Sequence, residues 1–281
     1  MHPESLLMST STMPSSRPTA TGGLFDARGR LVPADGELVY SQVDRRYFSL
    51  AQPAFTFPGV HAAVAKHLGI ADLDRLISAA QFERRCEASR QAVLSDPGLA
   101  GLFRGVHVPF VLLPATARAD IGDELDTVLL PAVTTSYVEK MPGFECRNYL
   151  QGQLAGSIPV VPGVRYERLV ASHAKQVVTG WYFPGALAGY AIPEQRRVIR
   201  RLPEAVSLSG PLEAAMAFMG TPDILMRIDN YPSLLALSAV QPHDPRHFHF
   251  FEAYGWNLTY NQRSMVGAVS EYFSGGLTVC G

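Results

Sequence analysis

Residues 106–113 read VHVPFVLL, an apolar run preceded by Gly105 and closed by Pro114. A short apolar run between breakers is the pattern of a buried strand. Pro109 inside it has no N–H to give to a ladder, which predicts a sheet edge or a bulge. The chain changes character at this point, and the change decides the fold. Upstream it reads as helix. Val60, Ala63, Val64, His67 and Leu68 recur at helical spacing and Gly69 ends them. Asp72 is placed to cap a second, longer helix running to about Leu94. Leu73, Leu76, Ile77 and Ala80 share one face, and Glu83, Arg84, Arg85 and Glu87 supply the wet side. Ser95-Asp96-Pro97-Gly98 stops it. Earlier still, residues 24–32 predict a small hairpin turning at Gly29, and residues 37–43 alternate as a strand.

Downstream, strands dominate. Residues 127–138 are β-branched and apolar around Pro131; residues 158–170 and 176–183 follow, set off by Pro162-Gly163 and Pro184-Gly185. Helix returns at Pro211, with Leu212, Ala215, Met216 and Met219 on one face, and Thr221-Pro222-Asp223 reads as a second helix start. Residues 233–240 fit either helix or strand, and strand is the expectation. Asn261 is placed to cap a helix carrying Met265, Val269, Tyr272 and Phe273, ended by Gly275-Gly276, and residues 277–280 form a last strand. Strands and helices do not alternate regularly. The expected class is therefore α+β, with a mostly antiparallel or mixed sheet and several flanking helices, rather than a doubly wound parallel sheet. Residues 1–21, rich in Ser, Thr and Pro, predict a flexible tail, with Met8 or Met13 as alternative starts. Residues 22–281 then form one domain; the alternative division is a helical part at 22–104 and a β-rich body at 105–281.

Bulk composition narrows the function classes. The 281 residues are 47% hydrophobic and 17% charged, with a formal net charge of −1. That supports a sizeable core, and the near-zero balance argues against nucleic acid or an anionic membrane as the main partner. No run approaches the ~20 apolar residues of a membrane helix, and no secretory leader is apparent. Cys86, Cys146 and Cys280 are odd in number and widely spaced, which predicts reduced thiols in a cytoplasmic protein. There is no GxxxxGK[ST], no GxGxxG after a strand and no HExxH, so neither a P-loop enzyme, a dinucleotide fold nor a zincin is expected.

Two segments resemble a family of actinobacterial proteins known only as a domain of unknown function. One is Val108-Pro109-Phe110-Val111-Leu112-Leu113. The other runs on from Gly210-Pro211-Leu212-Glu213-Ala214-Ala215 through Ser233-Leu234-Leu235-Ala236-Leu237-Ser238 and Gly255-Trp256 to Cys280. The likeness covers about a third of the chain, and the family's tail is richer in tryptophan. It implies no activity and transfers no site residue.

The densest collection of reactive side chains is residues 241–256, QPHDPRHFHFFEAYGW. His247 and His249 are two apart, so on a strand they project from one face. Glu252 lies three beyond His249 and would face the other way. The first expectation is an enzyme of small-molecule metabolism, in bacterial secondary metabolism, that uses no nucleotide cofactor. It would catalyse isomerisation, cyclisation or elimination by proton transfer in an apolar aromatic pocket. His247 or His249 would be the acid or base, Glu252 or Asp244 its orienter, and Trp181, Tyr254 and Trp256 the pocket wall. The second is a non-catalytic binding or regulatory protein, the histidines being structural. The third is a metal-dependent enzyme holding a divalent transition metal through His247 and His249, for which no third ligand can be named. Two weaker candidates are Ser172-His173-Ala174-Lys175, adjacent but without a nucleophile elbow, and the run of four arginines at Arg196, Arg197, Arg200 and Arg201. That run suits either an anion clamp or a solvated face.

Overall fold

The computed structural model describes residues 23–40, 48–115, 120–227, 231–264 and 267–281. The expected tail at 1–21, the end of the expected strand at 37–43, and Met265 lie outside them.

The first hairpin forms as its glycine requires: Phe25 bridges Leu31 and Gly29 turns at φ 69°. Helix α1 (Phe57–His67) starts at Thr56, whose hydroxyl accepts the Gly59 N–H. The long helix expected from Asp72 is divided. A 3₁₀ turn occupies Leu73–Arg75, and α2 (Ala79–Ser95) begins afresh at Ser78, which forms a reciprocal capping box with Gln81. Strand β1 (Val108–Leu112) is buried throughout and lies at a sheet edge, as Pro109 demands.

Residues 127–138 are helix, not strand. Asp120 caps α3 (Ile121–Glu124), a π turn spans Leu125–Leu129, and α4 (Leu130–Lys140) continues without a break in helical backbone angles. The β-branched residues tolerate this because three hydroxyls bond back into the helix: Thr127 to Asp123 O, Thr134 to Leu130 O and Thr135 to Ala132 O. Leu125, Leu129, Val133 and Tyr137, spaced by four, form the buried stripe that overrides strand propensity.

Strand β2 (Cys146–Asn148) follows. Residues 158–170 are also not a strand: Val160 makes one bridge to Val240, Arg165 turns the chain at φ 67°, and α5 (Tyr166–His173) begins. Then come β3 (Val178–Phe183), α6 (Ile192–Val198), β4 (Val206–Leu208) and α7 (Pro211–Gly220). Every residue of α7 from Pro211 to Met219 is buried, so it is apolar all round rather than on one face. Thr221-Pro222-Asp223 gives turns only. Strand β5 (Leu234–Ala236) is shorter than expected. Strands β6 (Phe248–Tyr254) and β7 (Asn257–Arg263) form a hairpin in the place where a helix from Asn261 was expected; Asn261 pairs with Phe250 in the ladder. Strands β8 (Phe273–Gly275) and β9 (Leu277–Cys280) end the chain.

The class is α+β. One sheet, β1-β3-β9-β4, is antiparallel; the other, β2-β7-β6-β5-β8, is mixed, with β2·β7 and β5·β8 parallel. Only Gly276 separates β8 from β9, so the chain passes there from one sheet to the other. A Cβ at 276 would lie 2.5 Å from Tyr182 and 2.7 Å from Ser209 Oγ, which is why the crossing is a glycine. Helix α7 packs on β1 and β3 of the first sheet, and its Phe218 ring meets Phe251 of the second at 4.7 Å. Helix α7 therefore packs on the first sheet and touches the second through Phe218.

Candidate functional site

Strand β6 alternates as its sequence implies. Phe248 and Phe250 pack with Ile192, Leu234, Ala236 and Phe273 on one face. Glu252 shares that face, hydrogen-bonded by Tyr272 and ion-paired with Arg263 at 3.2 Å. His249, Phe251 and Ala253 point the other way, into the main core. Glu252 therefore does not meet His249.

His249 is 2% exposed and stacks on Tyr260 of β7, centroids 5.7 Å apart and planes 12° apart. Among the described residues neither imidazole nitrogen has a hydrogen-bond partner, and neither has the Tyr260 hydroxyl. Burial pulls His249 down to about 4, so its ring is neutral at physiological pH. Burial, and then the charge of Asp126, push the Tyr260 phenol well above its ordinary value.

The other proposed site residues lie elsewhere. His247 precedes the strand, its Nδ1 3.2 Å from Asp244 Oδ2. Asp244 itself is held well below the usual carboxylate range, chiefly by the Arg246 guanidinium, 2.7 Å away at its nearest nitrogen. Trp181 is in the other sheet, boxed by Phe55, Phe57 and Phe103, and its indole N–H donates to Cys86 O at 2.8 Å. Tyr254 is 74% exposed at the strand end. Trp256 sits in the hairpin turn at φ 65°, after Gly255 at φ 55°; its indole donates to Arg227 O and its ring meets Phe144. Trp181, Tyr254 and Trp256 line none of the described clefts. Among the described residues no three His, Cys, Asp or Glu side chains converge as metal ligands, so His247 and His249 gain no third partner.

Of the weaker candidates, His173 is buried with Nε2 2.7 Å from Glu124 Oε2, a side chain 49 residues away, and makes no hydrogen bond to Ser172 or Lys175. Three of the four arginines hold the fold together. Arg196 caps the carbonyls of Ser238 and Val240, Arg197 pairs with Glu194, and Arg201 grips Glu37 with two nitrogens. Arg200 edges a cleft with Arg165 and Arg168.

Sequence reasoning missed the groups that share His249's side of the sheet. Register places Asn148 beside Tyr260 and Tyr260 beside Phe251, so these side chains and His249 share one face. The π turn lies over that face. Asp126 within it accepts Asn148 Nδ2 at 2.9 Å and the Gly152 N–H at 2.6 Å. A cleft of about 450 Å³ opens here, lined by Asp126, Pro131, Thr134, Cys146, Asn148 and Tyr149 among others. Burial raises the Cys146 thiol, which keeps it protonated and unreactive. A larger cleft of about 530 Å³ lies between α1, α4 and α7, with Phe55, Val60 and Met219 as floor and His67, Glu139 and Lys140 at its rim. Sequence carried one usable signal for the first cleft: Pro131 in a four-residue apolar period, which forces a helix irregularity.

No described helix is long and apolar enough to cross a membrane. Compared with protein-family models, curated proteins and solved structures, the chain gives no match to any.

Proposed function

We propose that the protein is a small-molecule enzyme that moves a proton without a nucleotide cofactor, with His249 as the group that gives or takes it and Tyr260 beside it. The observation that carries this reading is the stacked pair itself. Three buried polar atoms on the two stacked rings have no hydrogen-bond partner among the described residues. Buried polar atoms are almost always satisfied, so a pair left open in this way is suited to an incoming water or a polar group of a substrate. A neutral imidazole can accept at one nitrogen and donate at the other, which suffices for an isomerisation, cyclisation or elimination. The cleft edged by Asp126 and Asn148 opens over the same sheet face and is the route of entry in this reading. Glu252 and Asp244 have no part in it, since neither contacts His249.

The test is a thermal-shift screen of small metabolites, followed by turnover assays on the compounds that bind. His249→Phe and Tyr260→Phe are expected to abolish turnover and weaken binding, while His247→Ala leaves both unchanged. Full turnover in His249→Phe would sink the assignment. A second reading, a binding protein without turnover, is favoured by the open clefts, because His249 lines none of the four described. It expects compounds that bind wild type and His249→Phe equally and are never converted.

A further inference from the structure

We propose that Glu213 is a protonation-dependent latch: as the neutral acid it fastens strand β9 to the first turn of α7, and on losing its proton it loosens that strand. Glu213 is wholly buried and makes no ion pair among the described residues. Its Oε1 accepts the Gly210 N–H at 2.7 Å and the Thr278 hydroxyl at 2.9 Å; Ser209 Oγ lies 2.8 Å behind Thr278. The chain of hydroxyls thus runs from the 209–210 turn, through β9, to the helix. Among the described residues Oε2 has no hydrogen-bond partner, which leaves it as the atom to carry the proton.

Each element packed on the carboxyl presents an uncharged group. Helix α5 brings Tyr166, whose hydroxyl takes the Leu212 N–H at 3.1 Å. Strand β3 brings Tyr182, its buried hydroxyl also unpaired. Strand β9 brings Cys280, raised to about 12 by burial and then by Glu213 itself, although the residue as a whole is exposed. Burial and then Glu213 raise both tyrosines too. Among the described residues no cation stands here to hold a carboxylate, and a buried unpaired charge is not tolerated. The packing is tight. A Cβ at Gly210 would come within 2.2 Å of the Tyr166 ring, so little room remains for water to solvate a charge.

Burial moves Glu213 from 4.5 up to about 7. A raised acid stabilises the closed state fully below its free value, and the gain is lost as pH climbs through the folded value. The experiment is amide hydrogen exchange at Leu277–Cys280 in wild type and Glu213→Gln. Between about pH 5 and pH 7.5 the ratio of wild-type to variant opening constants is expected to rise roughly fiftyfold. Infrared spectra at about pH 5.5 should show a protonated-carboxyl band in wild type that the variant lacks. A pH-independent ratio, or no such band, overturns the latch. Should Glu213→Gln not fold, Thr278→Val serves instead. Losing a hydrogen bond that favours the carboxylate should shift the exchange transition to higher pH, and an unmoved transition overturns the proposal.

Discussion

Tyr260 holds its hydroxyl in the core, 1% exposed and without a partner among the described residues. An unsatisfied buried hydroxyl costs about 1–3 kcal/mol. Tyr260→Phe is therefore expected to raise the unfolding free energy of the ligand-free protein by about 1 kcal/mol, read from urea denaturation. A loss of similar size would mean that the hydroxyl already bonds something, and that the stacked pair is not open. Much at this scale was legible from spacing alone. The three-residue gap from His249 to Glu252 places the acid on the far face, where it meets Arg263 and Tyr272. Tyr260 was not legible, because it meets His249 across a ladder whose register the sequence does not state. His247 was misplaced onto the strand because Asp244 and Arg246 turn the chain just before Phe248.

The helix at 121–140 shows how one residue shapes an element. Pro131 has no N–H, and its ring would strike the carbonyl four residues earlier in an α-helix. The π turn relieves this: the Leu130 N–H reaches back five residues to Leu125 O. The widened turn also aims Asp126 at β2, where it straps the edge strand and the Gly152 loop with two charge-assisted bonds. Asp126→Ala is expected to cost about 2 kcal/mol, most of it local. Hydrogen exchange should therefore quicken at Gly152 and along β2 before other strands. Unchanged protection at Gly152 would mean the strap carries no load. The β-branched side chains favour a strand here by propensity, and only the fold shows that their hydroxyls bond back into a helix. The sequence hid the 257–263 strand for a related reason: Asn261 resembles a helix cap until β6 is available to pair with it.

At the scale of the molecule, α7 joins two buried titratable groups that pull in opposite directions. Glu213 stands in its first turn, and Phe218 near its other end packs on Phe251, the ring that meets Tyr260 beside His249. An α+β class was legible from the change of pattern at Gly105, but the crossing at Gly276 was not, since a Gly-Gly pair reads equally as a helix stop. The crossing matters because it seats Thr278 against Glu213 while β8 stays in His249's sheet. His249 falls from 6.5 to about 4, so its share of stability is present above the higher value and lost as pH drops through the lower. Glu213 rises from 4.5 to about 7, so its share is present in acid and lost as pH climbs. Each share is about 3 kcal/mol, and over the range common to both they cancel. Glu213→Gln alone should expose the histidine and give a fold that weakens towards about pH 4. His249→Phe alone should expose the acid and give one that weakens towards about pH 7. The double variant should lose both slopes and return these contributions to a level profile, the two changes adding because the groups share no partner. Urea midpoints across about pH 4–7.5 decide it: single variants with parallel profiles would show that one of these groups does not titrate as its burial requires.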